Sequence, residues 1–229
     1  MKKNYTILRK IISPEKAEFL KNYYLNKRKV SRLYFDTAFI SQFNKEYGIW
    51  NDPQCMGAWS NYGDIAGDTL LEELQPIVEK FFKKKLYPTY SYVRVYEKGH
   101  LLARHKDRES CELSTTLNLG GTEWPIYIDE NPKSGFWITK DSKVKGNISI
   151  KKENDYYSEF NKGKKVILKP GDMLVYQGDK NEHWREPLSH GMCVQIFLHY
   201  VDQTGKFQKN IYDNRPMLGV DSSLQRKED

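Results

Sequence analysis

Residues 92–120 read YVRVYEKGHLLARHKDRESCELSTTLNLG. The run Tyr90–Tyr96 switches to an alternation of period two, the pattern of a strand with distinct faces. Glu97-Lys98-Gly99 marks a turn, Leu101–His105 a second strand and Leu113–Leu119 a third. His105-Lys106-Asp107 falls where the second strand ends. Side chains two apart on a strand face the same side, so the spacing predicts an imidazole and a carboxylate side by side. Such a pair can occupy adjacent positions on one metal ion. A second histidine, His183, stands at the end of a later strand-like run.

Two histidines and one carboxylate, with open positions opposite, make the facial triad of non-haem Fe(II) sites. With five histidines and 30 acidic residues, chance alone supplies a His-x-acid pair about as often as not. On residues alone, an iron site and a surface strand end with a salt-bridged Asp107 both remain open.

Around this stretch the chain is ordered helices first, strands second. Residues 5–12 read as a short strand. Ser13-Pro14-Glu15 is a helix start, with a capping hydroxyl, Pro at the first helical position and acid in the first turn. That helix is expected to reach about Asn26. Tyr34-Phe35 reads as a strand, Ala38–Tyr47 as a short helix and Gly48–Gly67 as a loop. A second helix is expected from Asp68 to about Lys84, kinked or broken at Pro76. Further strands are expected at Trp124–Ile128, Val166–Leu168, Met173–Tyr176 and Met192–Val201. Residues 129–163, with short β-like pieces at Phe136–Ile138 and Ile148–Ile150, read as an insertion that covers a site. Residues 202–229 read as a polar tail that wraps back and frays from Gly219. The pattern predicts one domain over 1–229: an N-terminal layer (1–87), a β core (88–201) and a tail (202–229). Mainly β with flanking α, it suits a barrel or sandwich with helices on one outer face.

Composition narrows the function classes. The chain has 229 residues, 38% apolar and 14% aromatic. No run approaches the roughly 18 apolar residues of a membrane span, and the start carries no apolar secretory segment. Three cysteines without CxxC spacing argue for a reducing, cytoplasmic setting and against a disulfide framework. The net charge of +7 arises from 37 basic and 30 acidic residues, and its densest runs read as solvated helix ends or turns. They argue against a dedicated nucleic acid site.

From about Thr89 to Tyr200 the chain resembles the Fe(II)/2-oxoglutarate-dependent dioxygenases of the prolyl 4-hydroxylase-like superfamily, in a phage and bacterial branch. The matching pieces are Tyr96-x-x-Gly99, His105-x-Asp107, Ser114–Leu119, Pro170-Gly171-Asp172 and His183-x-x-x-Pro187-x-x-x-Gly191. The resemblance implies a double-stranded β-helix (jelly-roll) core with the N-terminal helices packed on one sheet. It implies Fe(II) held by His105, Asp107 and His183, 2-oxoglutarate and O2 as cosubstrates, and ascorbate as a stimulant. It further implies hydroxylation of a C–H bond in a peptide or small-molecule substrate of amino-acid type, with release of succinate and CO2. Asp107 separates the chain from halogenating relatives, in which a small residue replaces the carboxylate. A nucleic-acid-modifying oxygenase and a non-catalytic jelly-roll binding module are the alternatives.

The chain departs from the family pattern at one place. The family sets a Lys or Arg about ten residues after the distal histidine, against the far carboxylate of 2-oxoglutarate; here that residue is Cys193. The candidates to replace it are Arg185 and Arg94, with Tyr96 as a hydroxyl donor. A planar guanidinium fork suits a carboxylate. Trp59, Trp137 and Trp184 are candidates for a substrate cleft, and residues 48–67 and 129–163 for selectivity. His100, His190 and His199 read as turn, loop and barrel residues, and Cys111 as packing.

Overall fold

The structure is a computed structural model that describes residues 4–41, 43–138, 156–158 and 160–226. Its frame is two antiparallel sheets facing each other. The larger has the order β1-β10-β5-β12-β3-β2. Its strands are β1 (Tyr5–Leu8), β2 (Trp59–Tyr62), β3 (Leu86–Glu97), β5 (Leu113–Gly121), β10 (Met173–Tyr176) and β12 (Met192–Asp202). The smaller has the order β4-β11-β6-β9, from β4 (Leu102–His105), β6 (Ile126–Ile128), β9 (Lys164–Val166) and β11 (His183–Arg185). A short hairpin, β7 (Phe136–Trp137) with β8 (Tyr156–Tyr157), stands apart. This is the jelly-roll core.

The strands of the larger sheet are buried on both faces, and the faces differ. On β12, Val194, Ile196 and Leu198 join the apolar core outside the sheet. Their neighbours Gln195, Phe197 and His199 therefore point the opposite way, between the sheets. Strand β3 divides likewise, with Val93 and Val95 outward and Tyr92, Arg94 and Tyr96 inward. So does β5, with Leu117 and Leu119 outward and Thr116 and Asn118 inward. A sheet with an apolar outer face must be covered, and a polar inner face implies a lined cavity.

Two helices do the covering. Helix α1 (Pro14–Asp36) is capped by Ser13, whose Oγ accepts from the Lys16 amide at 3.2 Å. Helix α2 (Ile65–Phe82) is capped by Asp64. Its buried Leu70, Leu71, Leu74 and Val78 pack on β3 and β12. Each such side chain contributes about 1.5–3 kcal/mol of burial.

Several boundaries differ from the sequence reading. Helix α1 runs on to Asp36, so Tyr34-Phe35 is helical and not a strand. Beyond Tyr24 its only buried residue is Ser31, which leaves no apolar stripe to signal the extension. No helix forms over the described part of 38–47. Strand β2 emerges inside the presumed loop 48–67. Pro76 lies within α2 without dividing it. The tail is docked as far as Gly219, whose amide donates to Asp68 at 2.8 Å; beyond it residues 221–226 are mostly exposed, with the Arg226 amide bonded back to the Asn214 carbonyl of the tail at 2.7 Å. Ile148–Ile150 lies outside the described residues.

Candidate metal centre and its cavity

His105 closes β4, and His183 opens β11 directly opposite it in the register. Asp107 lies two residues past the end of β4 rather than on it. The chain turns at Lys106, and the Asp107 amide donates to the Gly178 carbonyl at 2.9 Å. The turn keeps the carboxylate beside the imidazoles. Asp107 Oδ1 stands 3.4 Å from His105 Nε2 and 3.5 Å from His183 Nε2.

The donor set suits a divalent cation. His105 Nδ1 is 2.8 Å from the Ala103 carbonyl and His183 Nδ1 is 3.0 Å from the Asn181 carbonyl. A carbonyl only accepts, so each Nδ1 carries the proton and each Nε2 offers its lone pair toward Asp107. Burial, aided by the neighbouring His105, pulls His183 down to about 4 against the pull of Asp107, so it is neutral and ligand-ready at pH 7. Burial alone would raise the Asp107 carboxyl; its interactions with the His183 and His105 rings outweigh burial and hold the group well below the usual carboxylate range.

Residues that the sequence did not tie to Asp107 hold it in place. Ser114 Oγ donates to Asp107 Oδ2 at 2.8 Å and lies 2.9 Å from His199 Nδ1. With the hydroxyl proton on the carboxylate side, His199 must donate to the hydroxyl oxygen. His199 is thus the hydrogen-bonded barrel residue expected of it. Gly178 supplies space: a Cβ there would stand 2.4 Å from both Asp107 Oδ2 and Ser114 Oγ. The strand position of Ser114 was visible in the sequence, but nothing there pointed Gly178 at Asp107.

The centre opens into a cavity of about 370 Å3 between the sheets. Of the expected cleft tryptophans, Trp137 lines it, and its indole donates to the Lys106 carbonyl at 3.1 Å. Trp59 instead belongs to the core under the helices. Trp184 stacks on Tyr127 and carries Arg104 on its other contact, 3.3 Å from the ring centroid. Asp52, Gln54 and Tyr62 bring the 48–67 segment to the cavity wall. Cys111 is buried near Asp107 with Tyr90 Oη 3.0 Å away, and burial pushes its thiol up, so it is not activated.

The two candidate arginines have opposite surroundings. Arg94 is ion-paired with Asp52 and bonded to Tyr96 Oη (3.0 Å), Gln54 (3.1 Å) and Ser60 (3.2 Å). Its charge is taken. Arg185 is fully buried and has no carboxylate partner among the described residues. It donates to the Trp124 carbonyl at 2.5 Å and to Gln195 Oε1 at 3.2 Å, and its Nε has no partner. Burial lowers its pKa, with Cys193, Tyr96 and Tyr176 as the polar groups around it. Arg185, on β11, stands close enough to the buried Cys193 thiol to lower its pKa against the effect of burial.

Two facing antiparallel sheets with a His-x-Asp…His cluster between them make a double-stranded β-helix fold. Solved structures share it at low identity. HygX from Streptomyces hygroscopicus, with nickel, 2-oxoglutarate and hygromycin B bound, superposes with a TM-score of 0.57 at 12% identity, over 88% of this chain and 84% of that one. EctD from S. alaskensis with bound Fe gives 0.55 at 14% identity, over 87% and 73%. The viral collagen prolyl hydroxylase of Paramecium Bursaria Chlorella virus-1, in its 2-oxoglutarate complex, gives 0.50 at 11% identity, over 87% and 96%. No family model and no curated protein matches the sequence.

Proposed function

We propose that this chain is an Fe(II)- and 2-oxoglutarate-dependent oxygenase that hydroxylates a C–H bond of an amino-acid-like or other small substrate, releasing succinate and CO2. His105, Asp107 and His183 would hold the iron. When bound, iron and 2-oxoglutarate together supply the oxidising power, with O2 as the oxidant. The observation that carries the reading is Arg185: a buried guanidinium without a counter-ion is costly, and an anionic ligand resolves the cost.

In this reading Arg185 pairs with the far carboxylate of 2-oxoglutarate. Tyr96, fully buried and near Arg185, lies within reach of the same ligand. Arg94 serves the wall through Asp52 instead. The relatives support a small substrate as readily as a peptide: one is named with hygromycin B bound and another as a collagen prolyl hydroxylase. The cysteines are free and buried, which supports a reducing compartment. No helix among the described residues is long and apolar enough to cross a membrane.

The test is succinate formation from 2-oxoglutarate by the Fe(II)-loaded protein. It is expected in the wild type and absent in a His105→Ala, Asp107→Ala double variant. Undiminished succinate in that variant would sink the proposal.

A further inference from the structure

Next to the metal ligand Asp107, the chain places a second arginine on the cavity wall. Arg108 NH1 and NH2 donate to Asp213 Oδ1 and Oδ2 at 2.8 and 2.5 Å, and NH1 also donates to Ser110 Oγ at 3.0 Å. This uses the end of the guanidinium. The other edge, Nε–H with the second hydrogen on NH2, has no partner among the described residues. An arginine has two such edges, and each fits a carboxylate with two parallel hydrogen bonds.

The Arg108 side chain is 54% exposed, and its other end is anchored. Arg108 lies over the Tyr90 ring at 4.8 Å; Tyr62 stacks on Tyr90 and His199 meets it at a tilt, each with centroids 4.7 Å apart. Tyr62 in turn donates to Asp213 at 2.6 Å. Asp213 reaches this position through consecutive left-handed residues, with φ of 54° at Tyr212, 55° at Asp213 and 64° at Asn214. Non-glycine residues adopt this conformation at a cost, and such outliers persist where the surroundings fix them. The docked tail thus delivers a carboxylate that aims the arginine.

Resting on the oxygenase reading above, we infer that the free edge of Arg108 binds a carboxylate of the substrate itself, so that the substrate is a free carboxylic acid of amino-acid size. Within a peptide chain the corresponding group is an amide, with no charge to offer. Position supports the assignment: Arg108 lines the same cavity as His105, Asp107 and His183. Asp213 already offsets the charge of Arg108, so what the free edge offers a carboxylate is its pair of parallel hydrogen bonds. The other cation beside the ligands, Lys106, donates its ammonium to the Pro132 carbonyl at 2.8 Å.

The test is isothermal titration of the Zn(II)-loaded, 2-oxoglutarate-saturated protein, which does not turn over, with the free L-amino acids and their C-terminal amides. At least one acid is expected to bind, with its amide weaker by about tenfold or more. Arg108→Gln should weaken the acid by a similar factor and leave the amide within about twofold. Arg108→Lys, which keeps the charge without the fork, should fall between. No binding by any acid, equal binding of acid and amide, or an acid affinity unchanged in Arg108→Gln would overturn the assignment. A succinate assay that fails while the acid still binds would strike the oxygenase reading alone.

Discussion

At the scale of single residues, the informative feature is a charge without a partner. Arg94 and Arg185 are both buried inward-facing arginines, and their sequence contexts did not separate them. The structure does, because Asp52 reaches Arg94 from a distant loop while no acid among the described residues reaches Arg185. An uncompensated buried cation lowers the stability of the ligand-free protein. Arg185→Met is therefore expected to raise the thermal midpoint of the ligand-free protein, by about 1–3 kcal/mol in stability. The same change should remove the stabilisation that 2-oxoglutarate gives the Zn(II)-loaded protein. Differential scanning calorimetry reads both effects, and a lowered midpoint without ligand would contradict the account. The candidate metal ligands are legible because His-x-Asp and a later histidine on a strand form a recognisable pattern, and the structure brings the three together. The supports of Asp107 are not legible, since Gly178 and His199 meet it only through the fold.

At the scale of elements, alternation made the strands around the site legible. The end of α1 and the existence of β2 were not. The last turns of α1 bury almost nothing, and β2 is only Trp59–Tyr62, preceded by the irregular stretch 51–58 and followed at once by Gly63 and the Asp64 cap of α2. The turn at Gly178 carries a prediction. Gly178→Ala forces a Cβ against Asp107 and Ser114, so metal affinity should fall by about 10–100-fold, the usual cost of disturbing a ligand's support. Competition titration with a chromophoric chelator measures it; unchanged affinity would show that Asp107 is positioned otherwise. Helix α2 carries another. It ends at Lys83 with φ 55°, a left-handed cap in which glycine is favoured. Lys83→Gly should stabilise the fold by about 1 kcal/mol, seen as a shifted urea midpoint with unchanged slope.

At the scale of the whole molecule, helices on one face and a polar lining on the other explain why the strands are buried on both sides yet not uniformly apolar. That lining makes stability depend on pH. Burial holds His183 and His199 down at about 4, well below the ordinary 6.5. Between these values the unfolded chain binds protons that the folded chain refuses. Stability is therefore full above about pH 6.5 and is lost as pH falls toward 4, by a few kcal/mol in all (an order-of-magnitude figure). Chemical denaturation of the metal-free protein from pH 7 to 4.5 should show this slope, and His199→Gln, which titrates in neither state, should flatten it. The central claim joins the three ligands to Arg185 in one site for iron and 2-oxoglutarate. Anaerobic titration of the Fe(II)-loaded protein with 2-oxoglutarate tests it most directly. The account predicts a visible charge-transfer band that is absent in Asp107→Ala and saturates only at much higher 2-oxoglutarate in Arg185→Gln. No band in the wild type, or one that saturates identically in Arg185→Gln, would contradict it.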